Sequence, residues 1–330
     1  MKIAINGMGR IGRLLFRRLI NDPQIEIVAV NDIMDPVNLA YLLQYDSVYG
    51  KFEQPVAYQK KLIINNKKKV ACFCEPEAGN LPWKNLNVEV VLECTGRFIS
   101  KQLATRHLNA GAKKVLLSTT GSDDIPLMIF GHNHQPLTKE IDIVSPGGCM
   151  TNCSTHLIYL MNAIGIESVH INVIHSYTSR QELVDAPHKD FRRGRAAAES
   201  IIPVPVDLAR SLEKFFPPLQ NQIAAVTTRI PVANGALADF TFHFKDEVSK
   251  EQINTIFKEA ASGEYKGILE YTEDPIVSLD IKANTHSAII DGSLTSIVGR
   301  QGKVFAFFDN EYGYTSRMID WLIYLKRFLS

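Results

Sequence analysis

The sequence predicts two domains: an α/β domain on an open parallel sheet, then an α+β domain with a large, mostly antiparallel sheet. Three observations predict this. A glycine-rich loop at residues 7–12 follows at once on the first apolar run. Short apolar runs then alternate with helical spacing as far as residue 144. Beyond residue 154 the runs lengthen and alternate with period two, with helices between them. The change falls at Ser145-Pro146-Gly147-Gly148-Cys149-Met150-Thr151-Asn152-Cys153, so the expected domains are 1–148 and 149–315.

A chain of 330 residues fits two domains of about 150 each. The hydrophobic fraction is 45% and the charged fraction 22%, an ordinary globular balance. The net charge of +1 gives no electrostatic footprint for nucleic acid or an anionic membrane. No apolar run approaches the roughly 18–20 residues of a membrane span. Met1-Lys2-Ile3-Ala4-Ile5-Asn6-Gly7 leads straight into a strand and lacks the shape of a signal peptide. Five cysteines (72, 74, 94, 149 and 153) are sparse and odd in number. Free thiols in a reducing cytoplasm are therefore expected. Cys72 and Cys74 are too close for an ordinary metal pair; period two puts them on one strand face, in the core.

The first half holds a place for a dinucleotide. Lys2–Asn6 reads as a strand, Gly7-Met8-Gly9-Arg10-Ile11-Gly12 follows, and Ile11, Leu14, Leu15 and Leu19 show helical spacing. A second strand, Ile25–Val30, ends at Asn31-Asp32. Strand, glycine loop, helix, strand and acid make the Rossmann arrangement. Gly7 serves the tight turn, Gly9 the approach of backbone to pyrophosphate, and Gly12 the packing of helix on strand. Arg10 and Ile11 lie where the pyrophosphate meets the helix N-terminus. Asp32 is placed for the adenosine ribose hydroxyls, and its charge would repel a 2′-phosphate, so NAD is favoured over NADP. Asp35 with Pro36 starts the next helix. Val88–Leu92 ends in Glu93-Cys94-Thr95-Gly96, Lys101–Ala110 is a helix closed by Gly111, and Val115–Leu117 ends in Ser118. Small residues at the carboxyl ends of parallel strands are where ligands lie, so Thr95, Gly96 and Ser118 are candidate cofactor contacts.

In the second half, Ser154–Ile164 is an expected helix. Ser168–Ile174, Ile223–Ile230, Ala236–Phe244 and Lys303–Phe308 are expected strands. Ser249 starts a capping box for a helix through Phe257 and Ala260. Cys149 precedes a helical pattern, where helix N–H groups favour a thiolate, so it is a candidate nucleophile. Residues 176–202 form a long polar run with His188-Lys189-Asp190-Phe191-Arg192-Arg193-Gly194-Arg195. An aperiodic run of that length suits a functional loop or a subunit interface, and its arginines suit phosphate. His132 and His134 have no third ligand nearby and belong in a loop. His156 belongs to packing or the surface, and no metal is expected.

Several motifs in order carry a resemblance to the glyceraldehyde-3-phosphate dehydrogenase family over essentially the whole chain. They are Asn6-Gly7-Met8-Gly9-Arg10-Ile11-Gly12-Arg13, the Cys149 stretch, His175-Ser176-Tyr177-Thr178, Arg193-Gly194-Arg195-Ala196-Ala197-Ala198 and Asp309-Asn310-Glu311-Tyr312-Gly313-Tyr314. The resemblance implies Cys149 as nucleophile and His175 as its base. It implies Asn310 and Tyr314 as holders of the nicotinamide, and Thr178 and Arg229 as binders of the substrate phosphate. Arg195 and Thr151 are counted with the substrate-binding set. It further implies a C-terminal helix, 316–330, that returns to the first domain, and a homotetramer with residues 176–202 near the cofactor and the subunit core.

Four positions depart from the family pattern. Gly148 and Met150 flank Cys149 where the family has hydroxyl residues, and Val206 and Asp207 stand where it has Thr-Gly. In the family these positions are associated with attacking inorganic phosphate. A carboxylate about 4–5 Å from phosphate could cost on the order of 1–4 kcal/mol. Leu81-Pro82-Trp83-Lys84, Phe215-Phe216-Pro217 and His286–Gly292 resemble erythrose-4-phosphate dehydrogenase, which uses water instead. His175-Ser176-Tyr177-Thr178 keeps the glyceraldehyde 3-phosphate pattern. A non-catalytic binding role is a third reading, disfavoured by Cys149 and His175.

Overall fold

A computed structural model describes residues 1–329 and divides them into two compact units. The first unit holds Met1–Gly148 and the C-terminal segment from Thr315. Its sheet has eight strands in the order Ile143–Val144, Lys114–Leu117, Val90–Glu93, Lys2–Asn6, Glu26–Asn31, Lys68–Phe73, Lys61–Ile64, Val56–Tyr58. The first six are parallel, and the last two are added by antiparallel pairing. The central strand, Lys2–Asn6, carries only apolar side chains between its ends and is buried on both faces, as a covered parallel sheet requires.

The helix Arg10–Leu19 turns Leu14, Leu15, Phe16 and Leu19 inward. Two glycines set its approach. A Cβ on Gly12 would stand 2.0 Å from the Gly7 carbonyl oxygen, and Gly7 has φ +92° with no room beside the backbone of Thr95. Asp35 caps Pro36–Gln44, accepting from the N–H groups of Val37 and Asn38 at 2.8 and 3.0 Å. Arg18 donates to the hydroxyls of Thr315 and Ser316 at 2.8 and 2.9 Å, which ties the C-terminal segment to this unit. Trp321 is fully buried and meets Phe130 edge-on.

Two expectations shift here. The strand expected at Val88–Leu92 runs Val90–Glu93, because Asn87 takes a left-handed turn at φ +54° and Val88 N–H closes on the Trp83 carbonyl. Cys72 and Cys74 are not a core pair. The strand ends at Phe73, so Cys74 lies beyond it and is exposed, while Cys72 is half-buried.

The second unit, Cys149–Tyr314, opens with the helix Cys149–Asn162. The helix starts five residues earlier than the expected Ser154, with Cys149 as its first residue. Its sheet runs Ile202–Pro205, Ile223–Ile230, Ile166–Ser176, Ala236–Phe244, Gln301–Phe308, Ala288–Asp291, Leu269–Thr272, with Ser296–Val298 paired to Gln301–Phe308. Most neighbours are antiparallel; Ile166–Ser176 with Ile223–Ile230 and Leu269–Thr272 with Ala288–Asp291 are parallel. Phe240, Phe242 and Phe244 point to one face and are fully buried, the rings of the first two stacked at 5.6 Å. Ser249 caps Lys250–Ser262 by accepting from Gln252 N–H at 3.0 Å.

The segment 177–201 contains no helix or strand and folds back on itself. Glu182 N–H reaches Arg193 O, Ala186 N–H reaches Gly194 O, and Ala197 N–H reaches Glu182 O, at 3.1, 2.9 and 3.0 Å.

Candidate active site

In the first unit, the expected cofactor residues lie at the carboxyl ends of the parallel strands. Gly9 begins the first helix without a side-chain cap, and a Cβ added there would meet nothing within 4 Å. An uncapped helix start with open space above it suits a pyrophosphate, with Arg10, Ile11 and Gly12 in the first turn. Asp32 reaches across to this loop: Oδ2 accepts from Met8 N–H at 2.5 Å and Oδ1 from Met34 N–H at 3.0 Å. Gly96 turns with φ +67°, Thr95 bonds to Glu93, and Ser118 N–H donates to the Glu93 carbonyl at 2.9 Å. The residues present therefore fit a dinucleotide.

In the second unit, Cys149 Sγ stands 3.7 Å from His175 Nε2. The two residues are 26 apart in sequence and come together because Ile166–Ser176 runs back beneath the helix that Cys149 begins. Cys149 is half-buried and sits where first-turn N–H groups face a forming thiolate. His175 is 2% exposed and pairs in register with Arg229 on one side and Ala236 on the other. Its Nδ1 lies 2.7 Å from Ser176 O and 2.5 Å from Arg229 Nη1, which also donates to Ser176 O at 3.1 Å. These contacts compete, since Nδ1 cannot donate to the carbonyl and accept from the guanidinium together. A proton on Nδ1 goes to Ser176 O and leaves the Nε2 lone pair facing the thiol; Nδ1 accepting from Arg229 puts the proton on Nε2 instead.

Burial pushes the Cys153 thiol up, with Cys149 adding to the shift, and burial also raises Cys94. Cys72 is pushed up to about 11 by burial, aided by Cys74 and Asp32. Cys153 is fully buried one turn beyond Cys149 and packs as core.

Asn310 Oδ1 accepts from Gly235 N–H at 2.9 Å and from the Ser176 hydroxyl at 3.2 Å. With its oxygen so used, Asn310 has its amide NH₂ to offer a ligand. Ser176 thus links His175 to Asn310. Tyr314 is 5% exposed on the helix Tyr312–Leu325. Asp309, part of the motif that ends in Tyr314 but given no role from the sequence, holds this corner: it accepts from Glu311 N–H, Tyr312 N–H, Asn234 and Ala283 N–H. An acid just ahead of a helical run was the available signal.

The substrate-binding expectations separate. Thr178 lies in a turn where its hydroxyl meets Gln181 Oε1 at 3.1 Å, two residues beyond Ser176. Arg229 touches His175 directly. Thr151 is buried in the first turn after Cys149. Arg195 is paired with Asp185 at 3.0 Å on the exposed loop. His134 packs against Phe130 and Tyr324, and His156 against Tyr265. Among the described residues no group of three His, Cys, Asp or Glu is poised for a metal, and no helix is long and apolar enough to cross a membrane.

A dinucleotide-binding unit joined to a unit with a thiol–imidazole pair defines a class, the cysteine-dependent NAD-linked oxidoreductases. Residues 1–101 match the NAD-binding domain of glyceraldehyde 3-phosphate dehydrogenase, and residues 148–310 match its C-terminal domain. Glyceraldehyde-3-phosphate dehydrogenase 1 of Bacillus cereus is 40% identical over 327 residues, 98% of each chain. The Geobacillus stearothermophilus glyceraldehyde-3-phosphate dehydrogenase is 38% identical over 328 residues, again 98% of each. The Borreliella burgdorferi enzyme of that name is 40% identical over 329 residues, 97% of this chain and 98% of the relative. The chain belongs to the glyceraldehyde-3-phosphate dehydrogenase family.

Proposed function

We propose that the chain oxidises glyceraldehyde 3-phosphate to 1,3-bisphosphoglycerate with NAD, a step of glycolysis and gluconeogenesis. The observation that carries this reading is the 3.7 Å approach of Cys149 Sγ to His175 Nε2 within a family of such enzymes. Cys149 gives its proton to His175, its sulfur bonds to the aldehyde carbon as the carbonyl π bond opens, and His175 passes the proton on to the carbonyl oxygen, forming a hemithioacetal and restoring the free base. NAD, held by the dinucleotide-binding unit, would supply the acceptor for the hydride of that carbon. His175 takes the hydroxyl proton as the hydride leaves, and the carbon becomes a thioester. An oxygen of inorganic phosphate then attacks, the carbon–sulfur bond breaks, and the thiolate of Cys149 is regenerated. Asn310 and Tyr314 orient the nicotinamide, Gly7, Gly9, Arg10, Ile11 and Gly12 hold the pyrophosphate, and Asp32 binds the ribose. Thr178 and Arg229 bind the substrate phosphate, with Thr151 and Arg195 assisting.

A second reading concerns the last step. A Cβ at Gly148 would meet nothing within 4 Å, so space stands where a hydroxyl residue would reach. Asp207 is exposed between the strand Ile202–Pro205 and the helix Leu208–Glu213, and its side chain does not cap that helix. Loss of hydroxyls and gain of a carboxylate favour water over phosphate, as in an erythrose-4-phosphate dehydrogenase. The test is NADH formation from each aldehyde with and without inorganic phosphate. We expect glyceraldehyde 3-phosphate to be preferred and its turnover to need phosphate. Phosphate-independent turnover, fastest with erythrose 4-phosphate, would replace this reading with the second.

A cytoplasmic homotetramer completes the proposal. Leu183, Val184, Phe191 and Ile201 of the 177–201 segment are 65%, 74%, 88% and 72% exposed, apolar side chains suited to burial against another copy. A monomer mass in sedimentation equilibrium would remove this part.

A further inference from the structure

Glu93 closes the strand Val90–Glu93, is 1% exposed, and takes no part in the steps above. Its carboxylate accepts from four donors. Oε1 accepts from Thr95 N–H at 2.7 Å and from the Thr95 hydroxyl. Oε2 accepts from Asn6 Nδ2 at 2.5 Å and from His107 Nε2 at 2.9 Å. On its other side, His107 Nδ1 faces Trp83 Nε1 at 3.0 Å. An indole N–H only donates, so His107 Nδ1 accepts and Nε2 carries the ring proton toward Glu93. Trp83 and His107 are both fully buried, so water offers no alternative partner.

The network reaches three of the loops of the expected cofactor site. Asn6 Oδ1 accepts from Asn31 Nδ2 at 2.7 Å, and Gly7 N–H donates to Asn31 O at 2.8 Å. Asn6 and Asn31 stand just before Gly7 and Asp32 respectively. Gly7 and Thr95 also abut, since a Cβ on Gly7 would lie 2.5 Å from Thr95 N. A shift of the Thr95–Gly96 turn is therefore a shift of the glycine loop.

We infer that Glu93 is a positioning residue for the dinucleotide, acting through Thr95 and Asn6 and itself oriented by His107 and Trp83. The inference rests on the reading that Gly7, Thr95 and Gly96 touch the cofactor. A glutamine in place of Glu93 keeps the shape but presents an NH₂ to at least one donor pair. Buried donors would then lack acceptors, and the turn would move to recover them.

The test is isothermal titration of NAD into the full chain, together with steady-state kinetics. For Glu93→Gln we expect NAD affinity to fall about tenfold or more, with KM for NAD rising in parallel and kcat at saturating NAD within about threefold of wild type. Thr95→Val should weaken NAD alone but add little in the Glu93→Gln background, since both changes break one network. Trp83→Phe should free the His107 tautomer, read in its ¹⁵N shifts, and weaken NAD by about threefold. It carries the test if Glu93→Gln does not fold. Wild-type affinity in Glu93→Gln, additive losses in the double variant, or unchanged affinity in Trp83→Phe would overturn the inference. No NAD binding by the wild type would instead overturn the cofactor reading on which it rests.

Discussion

Cys149→Ala is expected to abolish NADH formation, lowering kcat by about 10⁴-fold or more. The sulfur is a bond-forming atom, and no neighbouring group can replace it. Cys153 is the nearest alternative by sequence, but it is fully buried and its thiol is pushed up by that burial. Alanine at the first position of the helix Cys149–Asn162 keeps the backbone and a good helix former, so the fold should persist. NAD affinity, measured by titration, should therefore stay near wild type while turnover disappears. Turnover within tenfold of wild type would remove Cys149 from the chemistry.

His175→Asn is expected to lower kcat by about 10²–10⁴-fold while leaving the aldehyde KM much less affected. Nε2 has two duties, taking the thiol proton and then the hydroxyl proton as the hydride leaves. The asparagine amide can hydrogen-bond but cannot take a proton in either step. The site is 2% exposed and packs edge-on against Phe308 at 6.2 Å, so a smaller polar residue leaves a gap and no new strain. The pH–rate profile should lose the limb that reports the base. A variant with kcat within threefold of wild type and an unchanged profile would contradict the assignment.

The glycine loop was legible because each glycine does a local steric job that shows in spacing alone. The same holds for Asp35 and Ser249, whose capping needs only a short polar side chain ahead of a helical run. The start of the helix at Cys149 was less legible: Met150 and Thr151 carry no clear helical spacing, and tertiary packing decides where the helix begins. The thiol–imidazole pair was read from resemblance, because residues 26 apart meet only through the sheet. The competition of Ser176 O and Arg229 for His175 Nδ1 depends on strand register, which a single sequence does not display. Glu93 was hidden for another reason. An acid at the end of an apolar strand looks like a strand terminus, and its four donors come from residues 6, 95 and 107.

The central claim is that oxidation passes through a thioester on Cys149. Its most direct test is a rapid acid quench after mixing the protein with NAD and glyceraldehyde 3-phosphate in the absence of inorganic phosphate, followed by peptide mass mapping. The account predicts a burst of about one NADH per site and an acyl adduct on Cys149 alone. Cys72, Cys94 and Cys153 should remain unmodified, since their thiols are all raised. A burst without an adduct, or an adduct on another residue, would contradict it.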